Sequence, residues 1–339
     1  MKPISSHPME IMMNKVAVIG LGNISKRHRA NIKRLYPEAV VFAVSASGRQ
    51  PCEPIENADE FLSSIDELLQ HKPDMAIVAS PATFHAQHAI PLLKNEIPVL
   101  IEKPLSGCEW DAASILAAEK QYKTPATVGY CLRYLPSSQY IKLLLEDNLI
   151  GEIYNAFVEV GQYLPDWRPS QNYRESVSAS AQLGGGVLLE LSHELDYIQW
   201  LLGPLQYQHA ILRSSKDLQL PVEDSADILA LNVGGTVVSV HLDFLQRKVH
   251  RKCRFIGSEG SLEWDLLRNE ITLSTKGSER QVFSQPEWDK NQMYLNMLQD
   301  FEGLINGKPN SCVTLDEAQR TVSLITKIKS SALTTKGLQ

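Results

Sequence analysis

The feature that most constrains this chain is a repeated alternation of short apolar runs with helical stretches over its first third. Val16-Ala17-Val18-Ile19 reads as a buried strand, followed by a glycine turn and a helix over residues 26–35. Residues 40–44 read as a second strand and 64–70 as a helix, with Ser63 or Ser64 placed to cap it. A strand over 74–79, a helix over 83–95, a strand over 99–101 and a helix over 111–121 complete the series. Strands alternating with helices imply a parallel sheet joined by right-handed crossovers.

After Gly151 the pattern changes. Residues 153–160, 237–244, 254–256, 261–264 and 271–274 have β character. Gly234-Gly235, between runs at 229–233 and 236–240, signals a hairpin. Helices are expected over 186–202, 291–305 and 315–328. The fold class that follows is α/β: an N-terminal Rossmann domain with a parallel sheet over 14–132, then a C-terminal α+β domain with a largely antiparallel open sheet over 133–339. Residues 1–13 read as a disordered extension, and Met12 or Met13 is a candidate start.

A chain of 339 residues suits two domains and can bury its own cores without metal or disulfide staples. The net charge of −6 and the lack of a basic stripe argue against a nucleic-acid partner. Lys26-Arg27-His28-Arg29 and Arg247-Lys248 are too short to alter that and read as solvated faces. Five dispersed cysteines (Cys52, Cys108, Cys131, Cys253, Cys312) have no paired ligand spacing, which speaks for reduced thiols and against a structural zinc site. The first 13 residues contain no continuous apolar segment of signal-peptide type, and no run of about 18 apolar residues spans a membrane. A cytoplasmic location is the expectation.

Three constellations carry chemistry. In Gly20-Leu21-Gly22-Asn23-Ile24-Ser25, the first glycine permits a tight turn and the second lets backbone approach a pyrophosphate at a helix N-terminus. A glycine turn can also be purely structural; its place after the first strand of a βαβ series favours the dinucleotide reading. Ser25 stands where the usual third glycine would, which widens strand–helix packing. At the end of the second strand, Ser45-Ala46-Ser47-Gly48-Arg49 contains no acid. Ser45 and Arg49 suit the 2′-phosphate of NADP, giving a slight lean to NADP within NAD(P), with a plain polar loop as the alternative.

Glu102-Lys103-Pro104 follows the strand at 99–101, where ligands bind in open α/β sheets. Pro104 fixes the turn, with a cis bond as one option, and Lys103 can hydrogen-bond a reacting oxygen; an ordinary surface lysine is the alternative. The third constellation runs from Gly184-Gly185-Gly186 through Glu190, His193, Glu194 and Tyr197. At helical spacing these four share one face, opposite Val187, Leu191, Leu195 and Ile198. A histidine beside carboxylates can exchange protons near neutral pH; a hydrogen-bonded core histidine is the bland alternative. No second histidine lies at ligand spacing, so no metal is expected.

Together these residues resemble the glucose–fructose oxidoreductase/inositol dehydrogenase (Gfo/Idh/MocA) family over residues 15–330. The resemblance rests on Gly20-x-Gly22 with Arg27-His28, Ser80-Pro81-Ala82-Thr83-Phe84-His85, Glu102-Lys103-Pro104, and the triple-glycine helix with His193-x-x-Asp196. It implies a Rossmann domain plus an α/β domain whose open sheet mediates oligomerisation. It also implies that Lys103 and His193 are catalytic and that Glu190 stands where many members have aspartate. Two residues separate Glu190 from His193 where the family pattern has three, which puts the role of Glu190 in doubt. Trp167-Arg168 resembles a segment near the nicotinamide. The stretch from Gly161 to Arg174 looks like members associated with bacterial surface-sugar synthesis, and Arg168 and Arg174 suit a carboxylate or phosphate or, equally, an interface.

The cofactor-binding candidates are therefore Gly20, Gly22, Asn23, Ile24, Ser45, Arg49, Ser80, His85, Glu102, Lys103, Trp167 and Arg168. The substrate-binding candidates are Lys103, Arg168, Arg174 and His193. The expected activity is NAD(P)-dependent interconversion of a secondary hydroxyl and a ketone on a sugar-like substrate. An NAD-dependent glycosidase of the same fold and a non-catalytic NAD(P)/sugar sensor are the rivals. Val238, Val240, Leu242 and Phe244 are more apolar residues than a one-sided sheet can hide, which predicts a homodimer or homotetramer.

Overall fold

The computed structural model describes residues 12–336. The expected extension over 1–13 lies largely outside them; Met12 is exposed, whereas Met13 is buried in the core. The first unit runs β1 (Lys15–Ile19), α1 (Asn23–Leu35), β2 (Val40–Val44), β3 (Glu60–Leu62), α2 (Ile65–His71), β4 (Met75–Val78), α3 (His85–Lys94), β5 (Val99–Ile101), α4 (Glu109–Tyr122) and β6 (Ala126–Val128). All six strands pair in parallel, in the order β3-β2-β1-β4-β5-β6. Every residue of β4, β5 and β6 is buried, because helices cover both faces, so apolar runs here are continuous rather than alternating. Ser64 caps α2 by accepting from the Glu67 N–H. The chain leaves β1 in one direction and returns at β4 in the other, which opens a crevice at the strands' carboxyl ends.

The second unit begins with α5 (Pro136–Glu146) and β7 (Ile153–Gly161). It continues through α6 (Val187–Glu190), α7 (His193–Leu202), β8 (Leu205–Ser214), β9 (Ser225–Asn232), β10 (Val237–Asp243) and β11 (His250–Gly257). β12 (Ser261–Asp265), β13 (Glu270–Thr275), β14 (Ser278–Ser284), α8 (Gln292–Ile305), α9 (Leu315–Ser331) and β15 (Leu333–Lys336) complete it. Its nine strands lie in the order β14-β13-β12-β11-β7-β10-β9-β8-β15. Only β10–β7 and β15–β8 pair in parallel; the other ladders are antiparallel. The Gly234-Gly235 turn joins β9 to β10 as read, with the Gly235 N–H on the Asn232 carbonyl.

Here burial alternates. Val158, Val240, Phe255 and Leu262 face inward, while Phe157, Leu229 and Ile211 face outward and are exposed. The inward face packs under α5, α6, α7 and α9. One expectation is overturned at this point: Val238, Val240, Leu242 and Phe244 are all internal. Helix α6 packs on β10 and α7 on the neighbouring β7, so these residues supply no argument for self-association. The helix expected over 186–202 is also broken at Leu191-Ser192 into α6 and α7. Residues 313–322 return to the first unit, where Val313, Leu315, Ala318 and Val322 join its core.

Candidate active site

A cleft of ≈ 630 Å³ lies over the carboxyl ends of the parallel strands, lined by both units. The glycine turn forms one wall. Gly20 has φ +116°, and a Cβ there would lie 2.6 Å from the Ala79 carbonyl oxygen, so only glycine fits. Ser25, in the third position of the fingerprint, is fully buried with Oγ 3.4 Å from that same carbonyl. Its hydroxyl occupies space that a glycine would leave open between α1 and the end of β4. Gly22 caps α1 with no side-chain bond, and a Cβ there meets nothing within 4 Å. The first turn of α1 therefore offers unpaired N–H groups, with no acid nearby in that turn, beside Asn23 and Ile24 in the cleft wall. That donor set fits a dinucleotide pyrophosphate.

Ser45, Arg49 and Ser80 line the cleft beyond this turn. Ser45 Oγ donates to the Arg49 carbonyl oxygen and tightens the loop after β2. His85 does not reach the cleft, contrary to the sequence reading. It is fully buried, with Nδ1 toward the Pro104 and Leu105 carbonyl oxygens (3.0 and 3.2 Å) and Nε2 2.8 Å from the Ser80 carbonyl oxygen. Its ring ties the loop after β4 to the loop after β5. Desolvation lowers its pKa and outweighs the neighbouring carbonyls and Glu102, which raise it.

Lys103 projects from the turn after β5, whose Lys103–Pro104 bond is cis. Its Nζ donates to the Glu190 carbonyl oxygen at 2.8 Å and lies 3.9 Å from the Glu190 carboxylate. Glu102, buried beside it, bonds His28 Nε2 at 2.7 Å and accepts from the Lys103 backbone N–H at 3.1 Å. Burial opposes its charge, yet the His28 bond and the nearby Lys103 hold the carboxyl below its ordinary pKa.

His193 begins α7 on the opposite wall. The Tyr130 ring packs against it edge-on, with centroids 5.5 Å apart. Its pKa lies well below 6.5: burial is the main cause, and the positive charges of Lys103 and Arg251 add to it. His193 is therefore neutral near pH 7. The expected four-residue polar face does not form. Glu190 and His193 line the cleft, but Glu194 is fully buried in a two-bond ion pair with Arg251 (2.7 and 3.0 Å). Tyr197 packs inside against Trp264. The carboxylate of Glu190 approaches Lys103, while His193 Nδ1 has no partner, so Glu190 and His193 form no bonded pair. The break at Leu191-Ser192 is the physical reason.

Trp167 and Arg168 line the outer cleft. Arg174 does not; it is exposed, with its guanidinium over Tyr173 and an amide contact to Gln219. Cys131 and Tyr294 also line the cleft and escaped the sequence reading. Neither lies in a motif: Cys131 follows the short β6, and Tyr294 belongs to an α8 whose pattern reads only as amphipathic. Burial pushes the Cys131 thiol up to about 11, so it is not a thiolate nucleophile.

Residues 14–130 match the oxidoreductase family with an NAD-binding Rossmann fold, and residues 138–263 match the GFO/IDH/MocA C-terminal domain. The chain belongs to the Gfo/Idh/MocA family. Its members among the curated relatives include a 2,7-anhydro-N-acetylneuraminate hydratase of Escherichia coli, 30% identical over 42% of this chain and 38% of its own length. An inositol 2-dehydrogenase of Streptomyces avermitilis is 25% identical over 67% of this chain and 65% of its own length. The chain thus matches less than two thirds of either relative. Among solved structures, levoglucosan dehydrogenase in complex with NADH superposes with a TM-score of 0.81 at 18% identity, covering 93% of this chain and 96% of that one. A 3-ketoreductase of Actinomadura kijaniata with NADP and TDP-benzene gives 0.78 at 18%, covering 96% and 99%. Those two solved structures hold NADH and NADP respectively, and this chain carries the family's NAD-binding Rossmann fold over residues 14–130.

Proposed function

We propose that this protein is an NAD(P)-dependent oxidoreductase that interconverts a secondary hydroxyl and a ketone on a sugar or sugar derivative. The observation that carries the reading is the convergence of Lys103 and His193 on one cleft from two different units. Bound nicotinamide would supply the redox chemistry by accepting or giving a hydride. Gly20, Gly22, Asn23 and Ile24 would hold the pyrophosphate, Ser45 and Arg49 the adenosine ribose, and Ser80 and Glu102 would frame the cleft beside them. Lys103 Nζ, now on the Glu190 carbonyl, donates to the reacting oxygen. In the oxidative direction, neutral His193 takes the hydroxyl proton on its ring nitrogen, and in reduction it returns that proton. Glu190 supports Lys103 rather than His193. Trp167 closes the outer cleft, and Arg168 at its mouth supports a substrate bearing a carboxylate or phosphate.

Arg49, with no acid among the cleft residues after β2, supports a preference for NADP over NAD. The outward apolar residues Phe157, Leu229 and Ile211 support a homodimer or homotetramer through the open sheet face. Five free cysteines support a cytoplasmic setting, and no helix among the described residues is long and apolar enough to cross a membrane.

The test is nicotinamide absorbance with purified protein, NAD(P) or NAD(P)H, and a panel of sugars, sugar acids and nucleotide sugars. Net turnover with at least one of them, lost in Lys103→Ala, is expected. One relative is a hydratase, so product analysis with no net change in dinucleotide is run in parallel. Substrate conversion without dinucleotide turnover would replace the dehydrogenase reading by a redox-neutral one. Binding without any conversion would favour the sensor.

A further inference from the structure

The proton-transfer scheme makes no use of His28, a fully buried histidine in the middle of α1. Its surroundings are specific. Nε2 lies 2.7 Å from Glu102 Oε1, and the second carboxylate oxygen of Glu102, Oε2, accepts the Lys103 backbone N–H at 3.1 Å. The other imidazole nitrogen, Nδ1, is buried with no partner. That asymmetry assigns the proton to Nε2, where it donates to the carboxylate, since a proton on Nδ1 would be an unpaired buried donor. There is little room for Glu102 to move: a Cβ at Gly129 would come within 3.3 Å of its carboxyl carbon.

His28 sits one and a half turns into the helix whose N-terminus forms the glycine turn. The same helix is clamped from the second unit. Tyr294 packs edge-on to the His28 ring at 6.1 Å, Asn31 and Asn291 exchange amide bonds at 3.3 and 2.8 Å, and Tyr36 donates to Glu302 at 2.8 Å. Tyr294 itself lines the cleft. The helix that would hold the pyrophosphate, the turn bearing Lys103 and the wall formed by α8 therefore meet at one buried imidazole.

We propose that His28 is a positioning residue that acts through Glu102 to set the backbone of Lys103, and so the aim of its ammonium into the cleft. This rests on the reading of Lys103 as the group that meets the reacting oxygen, but it concerns where Lys103 sits, not which substrate it meets. A charge-assisted hydrogen bond in a dry site fixes geometry as well as energy, because both partners are lost to solvent if it breaks. A motif residue of the cofactor helix thereby reaches the catalytic turn without touching the cofactor or the substrate.

The test reads Lys103 directly. Wild type, His28→Gln, His28→Leu and Glu102→Gln are labelled with acetic anhydride at fixed pH, with and without NADH, and the rate at Lys103 is followed by peptide mass spectrometry. The glutamine variant places an amide N–H where Nε2 was, so its Lys103 rate should match wild type. The leucine variant removes the donor, and its Lys103 rate should change by about 10-fold, the scale of one charge-assisted hydrogen bond. NADH should then protect Lys103 less than in wild type. Other buried lysine stems in the same digest serve as controls, and circular dichroism checks folding. If His28→Leu fails to fold, Glu102→Gln decides: it keeps the side chain's shape and an acceptor for the Lys103 N–H but drops the charge, and a several-fold change at Lys103 is expected. An unchanged Lys103 rate in the folded variants overturns the proposal, as does equal loss in His28→Leu and His28→Gln, which would mark a purely structural imidazole. A changed Lys103 rate alongside a fully active Lys103→Ala enzyme would leave the positioning intact and remove the functional reading instead.

Discussion

The two sheets handle burial in opposite ways. The parallel sheet is covered on both faces, so its strands are uninterrupted apolar runs and its functional groups sit beyond the strand ends. The nine-stranded sheet is covered on one face only, and its other face carries a ladder of paired charges. By register, Asp227, His241, Glu159, Lys252 and Asp265 stand side by side across five strands. Histidines record the contrast. In the parallel unit burial lowers His85 and takes His88 down to about 4. On the open face, bonds to Asp243 and Asp227 raise His241 to about 9 against a smaller effect of burial. A fully covered sheet thus makes neutral polar ties and reserves charge for its crevice, whereas a half-covered one spends charge on pairing its own surface.

The sharpest way to break this comparison is at the crevice. Lys103→Ala and His193→Ala should each lower kcat by ~100- to 10,000-fold, the usual range for proton-transfer groups, with NAD(P)H affinity near wild type. Glu190→Gln should cost less, since its carboxylate stands 3.9 Å from Lys103 and bonds nothing at His193. A His193→Ala enzyme as fast as wild type would return His193 to the role of core histidine. The pH profile adds an independent check. Because His193 is neutral down to well below pH 6.5, the acid limb of kcat/KM for oxidation should fall below that value. A limb at 6.5 or above would show that burial and the nearby positive charges do not depress His193 in the working enzyme.

The next effect separates the faces of the second sheet. Val240→Asp places a charge on the covered face and should destabilise by about 4 kcal/mol or more, measured by denaturant unfolding. Leu229→Asp, on the neighbouring strand but on the exposed face, should stay within about 0.5 kcal/mol for the monomer. It should instead shift sedimentation toward smaller species if that face is an interface. Equal destabilisation of both variants would mean that the open face is not open.

Smaller again is the pH dependence of stability. His88 and His85 have folded pKa values below their unfolded ones, so the unfolded chain binds more protons as pH falls from 6.5 toward about 4, and stability drops in that window. His241 has the opposite sign: its stabilisation is complete below about 6.5 and is lost as pH rises through about 9. Melting temperature against pH should therefore have a shallower acid slope in His88→Gln, where His85 still contributes, and a shallower alkaline slope in His241→Gln. Swapped or absent slopes would contradict the two-sheet contrast. The smallest effect is at Arg49, where substitution by alanine should weaken NADP by about 10-fold, the scale of one charge-assisted contact, and NAD hardly at all. Equal losses in a fluorescence titration of both dinucleotides would end the preference.

Much of this molecule follows from the chain read alone. Continuous apolar runs, a glycine turn and Glu102-Lys103-Pro104 specify the parallel unit because each depends on neighbours within a few residues. Lys103, His193, Gly20 and Gly22, which line the cleft, stand in motifs that are local in the same way. Elements without such local contrast were not: β6 is three residues long, and β8 and β14 carry polar side chains on an exposed face, so periodicity alone does not mark them. What only the tertiary structure decided are the directions of side chains and the partners they meet across the chain. Helical spacing put Glu190, His193, Glu194 and Tyr197 on one face, but the break at Leu191-Ser192 parts Glu190 from the other three, and within α7 His193 faces the cleft while Glu194 and Tyr197 turn into the core. His85 looked like a cleft residue from its place in a motif, yet its ring turns inward to three carbonyls, and Arg174 turns outward to Tyr173. The bond between His28 and Glu102 spans 74 positions, and no local pattern encodes it. Short-range chemistry is written in sequence spacing; a contact between distant residues exists only once packing has brought their backbones together.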